Sequence, residues 1–264
     1  MASRRRAFTI VEALVVSGLA VLLLAILLPA LSGSREAARA ARCLSQLAQH
    51  HQVLAAYAVN HDGEIPYYWP EVRESPRLPF TPPPGSRDWY FAACGLWQYG
   101  VLDAYGSDPL HASLFCPSNP ERPVDLEALA REHGIARESM TATLEYKLSG
   151  AMLLDPRALD PRRPALEDRF YVPRRMHEIT HPTAKSFLYC GGPYHDRAWR
   201  RTGAAVVPFD QAIGFGDGSA VVMNTAGITP GVVVNPSGNA ARDQFAAEAA
   251  KLHFTPWGVT GRDR

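Results

Sequence analysis

The chain has 264 residues, 47% of them hydrophobic and 20% charged, which allows one large domain or two small ones around a buried core. The formal net charge is +1, and without the three arginines Arg4, Arg5 and Arg6 the remaining 24 basic residues (27 − 3) face 26 acidic ones. That balance argues against a nucleic-acid binder, which needs a basic face.

The first residues carry a basic cluster, Arg4-Arg5-Arg6. From Ala13 to Leu31 the chain then carries no charge over 19 residues, enough for a helix to cross a bilayer. Core helices are seldom apolar on every side for so long. The arginines ahead of the run predict a cytoplasmic N-terminus and an exported remainder. A secretory signal peptide is the competing reading, with Ala30-Leu31-Ser32 as a small-x-small cleavage site that would free the rest of the chain. Two features oppose it: the run exceeds the roughly 7–15 residues of a signal core, and Glu12 stands at its entrance, where an unpaired carboxylate is costly in lipid.

After Pro29 the pattern turns amphipathic. Ser34 to Val59 is rich in helix formers. Ala40, Leu44, Leu47, Leu54 and Ala58 recur on one face, with Cys43 and Val53 beside them. The reading is one helix over residues 8–59, about 75–80 Å long, with Pro29 as its kink and Gly33 close behind.

Ala7-Phe8-Thr9-Ile10-Val11-Glu12 resembles the prepilin-type cleavage and methylation motif of type IV pilins and type II secretion pseudopilins. That family carries a basic leader, a small residue before the cut, Phe-Thr-Leu-x-Glu and an apolar helix; here Ala7 stands where Gly is usual. The resemblance implies cleavage between Ala7 and Phe8 by a prepilin peptidase and N-methylation of Phe8. It also makes Glu12 the inter-subunit register residue, pairing with a neighbour's Phe8 amine, because a paired charge in an apolar filament core is far cheaper than a lone one. Pro29 falls where pilins often carry proline. Leu28-Pro29-Ala30-Leu31, Arg35-Glu36-Ala37-Ala38-Arg39 and Arg42-Cys43-Leu44-Ser45-Gln46-Leu47 further resemble pilin-like proteins of planctomycete-type bacteria.

Asn60-His61-Asp62-Gly63 reads as the helix end and a turn, without the later ligands of a calcium loop. Residues 67–88, with six prolines, read as a loop packed on the head. Helix is expected over Trp89–Tyr105 and Asp125–His133, the latter ending at Gly134. Strands are expected over Leu144–Leu148 and Ala184–Cys190. Arg157–Arg175 reads as a solvated insertion. Phe215-Gly216-Asp217-Gly218-Ser219 followed by Ala220-Val221-Val222 signals a hairpin with a type I′ turn. Gln244–His253 reads as a short helix and Pro256–Arg264 as a loose tail.

The four cysteines, Cys43, Cys94, Cys116 and Cys190, form no CxxC pair, so zinc spacing is absent. An even count suits disulfides outside the cytoplasm, and spacing does not choose among the three connectivities. Leu114-Phe115-Cys116-Pro117-Ser118 resembles an element of the same pilin-like group that often accompanies the helix cysteine, which implies Cys43 with Cys116 as the disulfide; pairings with Cys94 and Cys190 stay open. The nine histidines include no HExxH or HxH pair, and no nucleophile elbow or phosphate-cradling loop occurs. No catalytic residue, metal or cofactor is therefore expected, although Asp196 and Asp210 could meet in space. Asp217 is the one calcium candidate, short of the six or more oxygen ligands that ion takes.

The fold expected is α+β and pilin-like: a long N-terminal helix, membrane-spanning in its first half, packed on a small antiparallel sheet. The segments are a leader (1–7), a transmembrane and filament-core helix (8–31), its amphipathic continuation (32–59) and a periplasmic head (60–264). The function implied is that of a non-enzymatic pseudopilin or minor pilin. It would be a single-pass inner-membrane subunit of a type II secretion or type IV pilus-like filament, with the prepilin peptidase and other pilin subunits as partners. The alternative is an extracytoplasmic binding or enzymatic domain on a simple anchor.

Overall fold

A computed structural model describes residues 9–66, 94, 97–108, 111–119, 145–162, 170, 172, 174–202, 208–230 and 256–263. Its organising element is α1, a 50-residue helix over Ile10–Val59 that continues through Pro29 and Gly33. Thr9 caps it in extended conformation. The end is set by Asn60 and by a turn in which Asp62 (φ 51°) and Gly63 (φ 85°) enter the left-handed region. That geometry lets the Gly63 amide donate to the Ala58 carbonyl at 2.8 Å, satisfying one of the helix's last acceptors. It is a turn, as its Asp-Gly sequence suggests.

The sheet is an antiparallel meander, β1 (Tyr146–Leu148), β2 (Ser186–Cys190), β3 (Asp210–Phe215) and β4 (Ala220–Asn224), paired in chain order. Architecture and sequence expectation agree at this level: an N-terminal helix and an antiparallel sheet, α+β. Alternation on the strands divides the side chains between two faces. Leu188, Cys190, Ala212 and Val222 join the main core with Cys43, Leu47 and Leu54 of α1. Tyr189, Ile213, Phe215, Val221 and Met223 form a second core on the other face with Ile228. The helix therefore lies across one face of the sheet, through its second half alone.

Three local expectations are corrected. The β3–β4 connection is not type I′, which needs positive φ at both central residues. Only Gly218 (φ 84°) is left-handed there. Its amide donates to Phe215 O at 2.9 Å, and the Phe215 amide donates to Ser219 O at 2.8 Å, the pattern of a three-residue loop closed by a glycine bulge. Space matters as well, since a Cβ on Gly218 would lie 2.9 Å from the His51 ring of α1. Second, the described part of the arginine-rich stretch is solvated only in part, with Arg157 and Arg162 exposed. Pro156–Leu159 forms a 3-10 turn with Ala158 and Leu159 buried, and Phe170 is buried too. Third, residues 256–263 are anchored. The Trp257 amide donates to Leu159 O at 2.9 Å, and the Asp263 amide to Ala184 O at 2.9 Å. Trp97–Tyr105 is helical but of the 3-10 kind, interrupted at Val101. The helices expected over Asp125–His133 and Gln244–His253 and the loop over 67–88 lie outside the described residues.

The anchor of the closing segment is ionic. Lys185 Nζ donates to Asp263 Oδ2 at 3.0 Å with both side chains almost wholly buried, and the Ser186 amide donates to the same oxygen at 2.7 Å. Burial pulls Lys185 below its ordinary pKa while the Asp263 carboxylate opposes the shift. Removing one partner of such a pair leaves a buried charge uncompensated. Asp263→Ala is expected to cost about 3–5 kcal/mol in urea denaturation of the full chain in micelles. A Lys185→Met/Asp263→Leu double variant should recover most of it. A loss under about 1 kcal/mol for the single variant would show that the pair does not hold the segment.

Candidate functional site

Among the described residues, two places concentrate chemistry: the start of α1 and the seam between α1 and the sheet. At the start, Thr9 and Glu12 form a reciprocal capping box. Glu12 Oε2 accepts from the Thr9 amide at 2.9 Å and from Thr9 Oγ1 at 2.8 Å, and the Glu12 amide donates to Thr9 Oγ1 at 3.2 Å. The signature S/T-x-x-E was present in the sequence and supplies a local role for Glu12 beside the one the resemblance implies. Ala7 and Phe8 lie outside the described residues, and of the Pro29 side chain nothing is described. From Ile10 to Leu27 the helix is long and apolar enough to cross a membrane, and none of this span is buried among the described residues.

At the seam, α1 turns polar residues as well as apolar ones inward. Cys43, Gln46, Leu47, His50 and Leu54 are all buried. Leucine periodicity finds this face but passes over Gln46 and His50, whose partners come from far along the chain. The Tyr146 hydroxyl of β1 donates to Gln46 Oε1 at 2.8 Å and also approaches Cys43 Sγ at 3.3 Å. His50 is held by the Tyr105 hydroxyl at Nδ1 (2.7 Å) and the Ser113 carbonyl at Nε2 (2.9 Å). The carbonyl requires Nε2–H to donate, so Nδ1 accepts from Tyr105, fixing a neutral tautomer.

Next to this network the structure brings Cys43 and Cys116 together, but with their sulfurs 3.8 Å apart and unbonded. Cys190 and His195 complete the group, and one donor atom from each of the four lies within 4.8 Å of every other. Cys43 comes from α1, Cys116 from the loop after a 3-10 turn (Ala112–Leu114), Cys190 from the end of β2 and His195 from the loop that follows. Neighbouring contacts fix the Cys116 loop. The Cys116 amide and the Asn119 side chain both donate to the Glu145 carboxylate, and Ser118 Oγ donates to Glu36 of α1 at 2.9 Å. Hydrogen bonds from Cys116 and Cys190, with Tyr146 adding to them, pull the Cys43 thiol below its ordinary value, against its burial. Burial pushes Cys190 well up. Cys94 is separate: it is buried outside the group, and burial raises its thiol to about 12. Cys190 and His195, five apart, were the only local hint in the sequence. Cys43 and Cys116 are each solitary.

Other sequence candidates make local contacts. Asp217 accepts from the Ser219 amide (3.0 Å) and hydroxyl (2.7 Å), closing the β3–β4 loop on its own side chain. Asp196 caps α2 (Arg197–Thr202) by accepting from the Trp199 amide at 2.8 Å, and its other oxygen accepts from the Asp210 amide at 3.3 Å. The Asp210 carboxylate accepts from Asn224 at 2.9 Å.

No protein-family model, curated protein or solved structure matches the chain at a significant level.

The His50 site makes a pH prediction. Burial, aided by the neighbouring His111, lowers its pKa from 6.5 to about 4, against the Ser113 carbonyl, which raises it. The faces turned toward it from the other elements are Trp97, Tyr105 and Tyr146, none of them charged at these pH values. The folded chain binds a proton here less readily than the unfolded chain. The contribution is therefore complete above about pH 6.5 and is lost as pH falls toward 4, by about 3 kcal/mol in all. Urea midpoints measured between pH 7.5 and 4.5 should fall for the parent chain and fall less for His50→Gln. Parallel curves for the two proteins would contradict the assignment.

Proposed function

We propose that the chain is a pilin-like subunit, a pseudopilin or minor pilin of a type II secretion or type IV pilus-like filament. The observation that carries this reading is α1 itself. One helix joins a bare apolar half to a half that packs a folded head. Ile10, Val11, Leu14, Val21 and Ile26 are each at least 66% exposed. Contiguous apolar surface of that extent needs a cover. A bilayer covers it before assembly, and the equivalent halves of neighbouring subunits cover it in a filament, through close helix packing. The basic leader supports an inner-membrane orientation with the N-terminus cytoplasmic and the head periplasmic. In this reading a prepilin peptidase cuts between Ala7 and Phe8, and Phe8 becomes the methylated N-terminus.

The capping box refines the part assigned to Glu12. In the free subunit the carboxylate is satisfied by Thr9 of its own chain. In the filament it also meets the Phe8 amine of a neighbour, an ion pair formed in apolar surroundings and strengthened by them. The two roles separate chemically, because a glutamine at this position preserves a capping box and loses the charge.

Mass spectrometry of the N-terminal peptide from the native host tests the processing. N-methyl-Phe8 is the expected terminus; Met1 or Ala2 would indicate a plain anchor and Gly33 a secreted protein. Glu12→Gln is expected to stay in the membrane with its helix intact and to lose most filament assembly, read as subunit recovered in the sheared filament fraction. Assembly at the parent level would leave Glu12 as a helix cap alone.

A further inference from the structure

The converging thiols lie outside the filament reading and need their own account. A disulfide between Cys43 and Cys116 would use two of the four groups. It would require the sulfurs to close from 3.8 Å to bonding distance, about 2.05 Å. It would also leave the Cys190 thiol and the His195 ring buried beside it. His195 is 7% exposed; its Nε2 lies 3.4 Å from Cys116 Sγ, and its Nδ1 has no hydrogen-bond partner among the described residues. Buried polar groups are rarely left so poorly matched.

The spacing suits a different occupant. Ligands about 2.3 Å (sulfur) and about 2.0–2.1 Å (nitrogen) from a tetrahedral zinc stand about 3.8 Å apart for sulfur pairs and about 3.5 Å for sulfur and nitrogen. The chain gives 3.8 Å for Cys43 to Cys116 and 3.4 Å for Cys116 to His195. All four donors fall inside a 4.8 Å cage, too small for a polynuclear cluster and sized for one ion. Sulfur and imidazole donors in this number select a tetrahedral, borderline-soft cation over calcium or magnesium. A polar shell is in place: the Tyr146 hydroxyl lies 3.3 Å from Cys43 Sγ, and Glu145 fixes the backbone that presents Cys116. Such orientation of ligands by surrounding hydrogen bonds is typical of protein metal sites.

We propose that Cys43, Cys116, Cys190 and His195 are the four ligands of a closed, structural zinc site that pins α1 to the sheet. On binding, the thiols release their protons to solvent and bond as thiolates, and His195 contributes the lone pair of a neutral imidazole. Four protein ligands leave no position for substrate, so the ion is a clamp and not a catalyst. It joins α1, the Cys116 loop and the end of β2, segments that no local sequence pattern connects. The assignment departs from the sequence expectation of a disulfide and no metal, and it stands independently of filament assembly.

The test uses the full chain, extracted from membranes in detergent without chelators or reductants, with elemental analysis and peptide mapping on the same sample. About one zinc per chain is expected, with Cys43 and Cys116 alkylatable once the metal is removed under denaturing conditions. Replacement by cobalt(II) should give the intense visible absorption and near-ultraviolet thiolate charge-transfer band of a tetrahedral site. Cys190→Ser and His195→Ala should lose at least ten-fold in zinc affinity, and Cys94→Ala, outside the cage, should keep its metal. The cobalt spectrum of the parent chain stands even where a ligand variant fails to fold. A chain without zinc that carries a Cys43–Cys116 disulfide would overturn the proposal, as would a weak, six-coordinate cobalt spectrum or full zinc retention in Cys190→Ser.

Discussion

The rest of the structure hangs on one helix, α1, whose two halves carry different side-chain surfaces. The hydrogen bonds of α1 are internal to it, so the backbone is satisfied whether water, lipid or protein surrounds it. What changes along its length is the side-chain surface. Beyond Glu12, the span to Leu27 is apolar on every side and is not buried among the described residues, whereas from Cys43 to Ala58 one stripe is buried. A helix apolar on every side cannot choose a face on a sheet, and a helix with one apolar stripe can. The boundary between these patterns therefore decides where the head begins.

The head is built outward from that stripe. Strand alternation gives the sheet two apolar faces, and α1 covers one while Ile228 closes the other beside Phe215. Polar groups then fix the fit. His51 meets the Gly216 carbonyl at 2.9 Å in the β3–β4 loop, Gln46 and His50 reach Tyr146 and Tyr105, and Cys43 meets Cys116. Each of these pins a position along the helix that interchangeable leucine contacts would leave free to slide. Lys185 and Asp263 do the same for the closing segment.

The parts of this architecture that are local in sequence could be read from it. The charge-free run, the amphipathic stripe and the turn at Asp62-Gly63 each follow from neighbours within a few residues. The strand at Ser186–Cys190 was legible for the same reason, and Asp217-Gly218 marked a hairpin even though its loop has a different geometry. What could not be read depends on apposition. Lys185 and Asp263 are 78 residues apart, and Cys43 and Cys116 are 73 apart; no periodicity links such pairs. The likeness to a pilin-like group pointed to Cys43 with Cys116 and was silent on Cys190 and His195. Ala158 and Leu159 were missed because arginines and prolines around them dominated the local composition, while burial there is decided by the segment near Trp257.

On the proposed reading, α1 runs as one helix from the bilayer into the head. Hydrogen exchange of the full chain in lipid discs checks this. Slow exchange is expected over Ile10–Leu27, where lipid covers the helix, and over Cys43–Ala58, where the sheet does. Rapid exchange across Ile10–Leu27 in the lipid-embedded protein, beside a protected Cys43–Ala58, would contradict it.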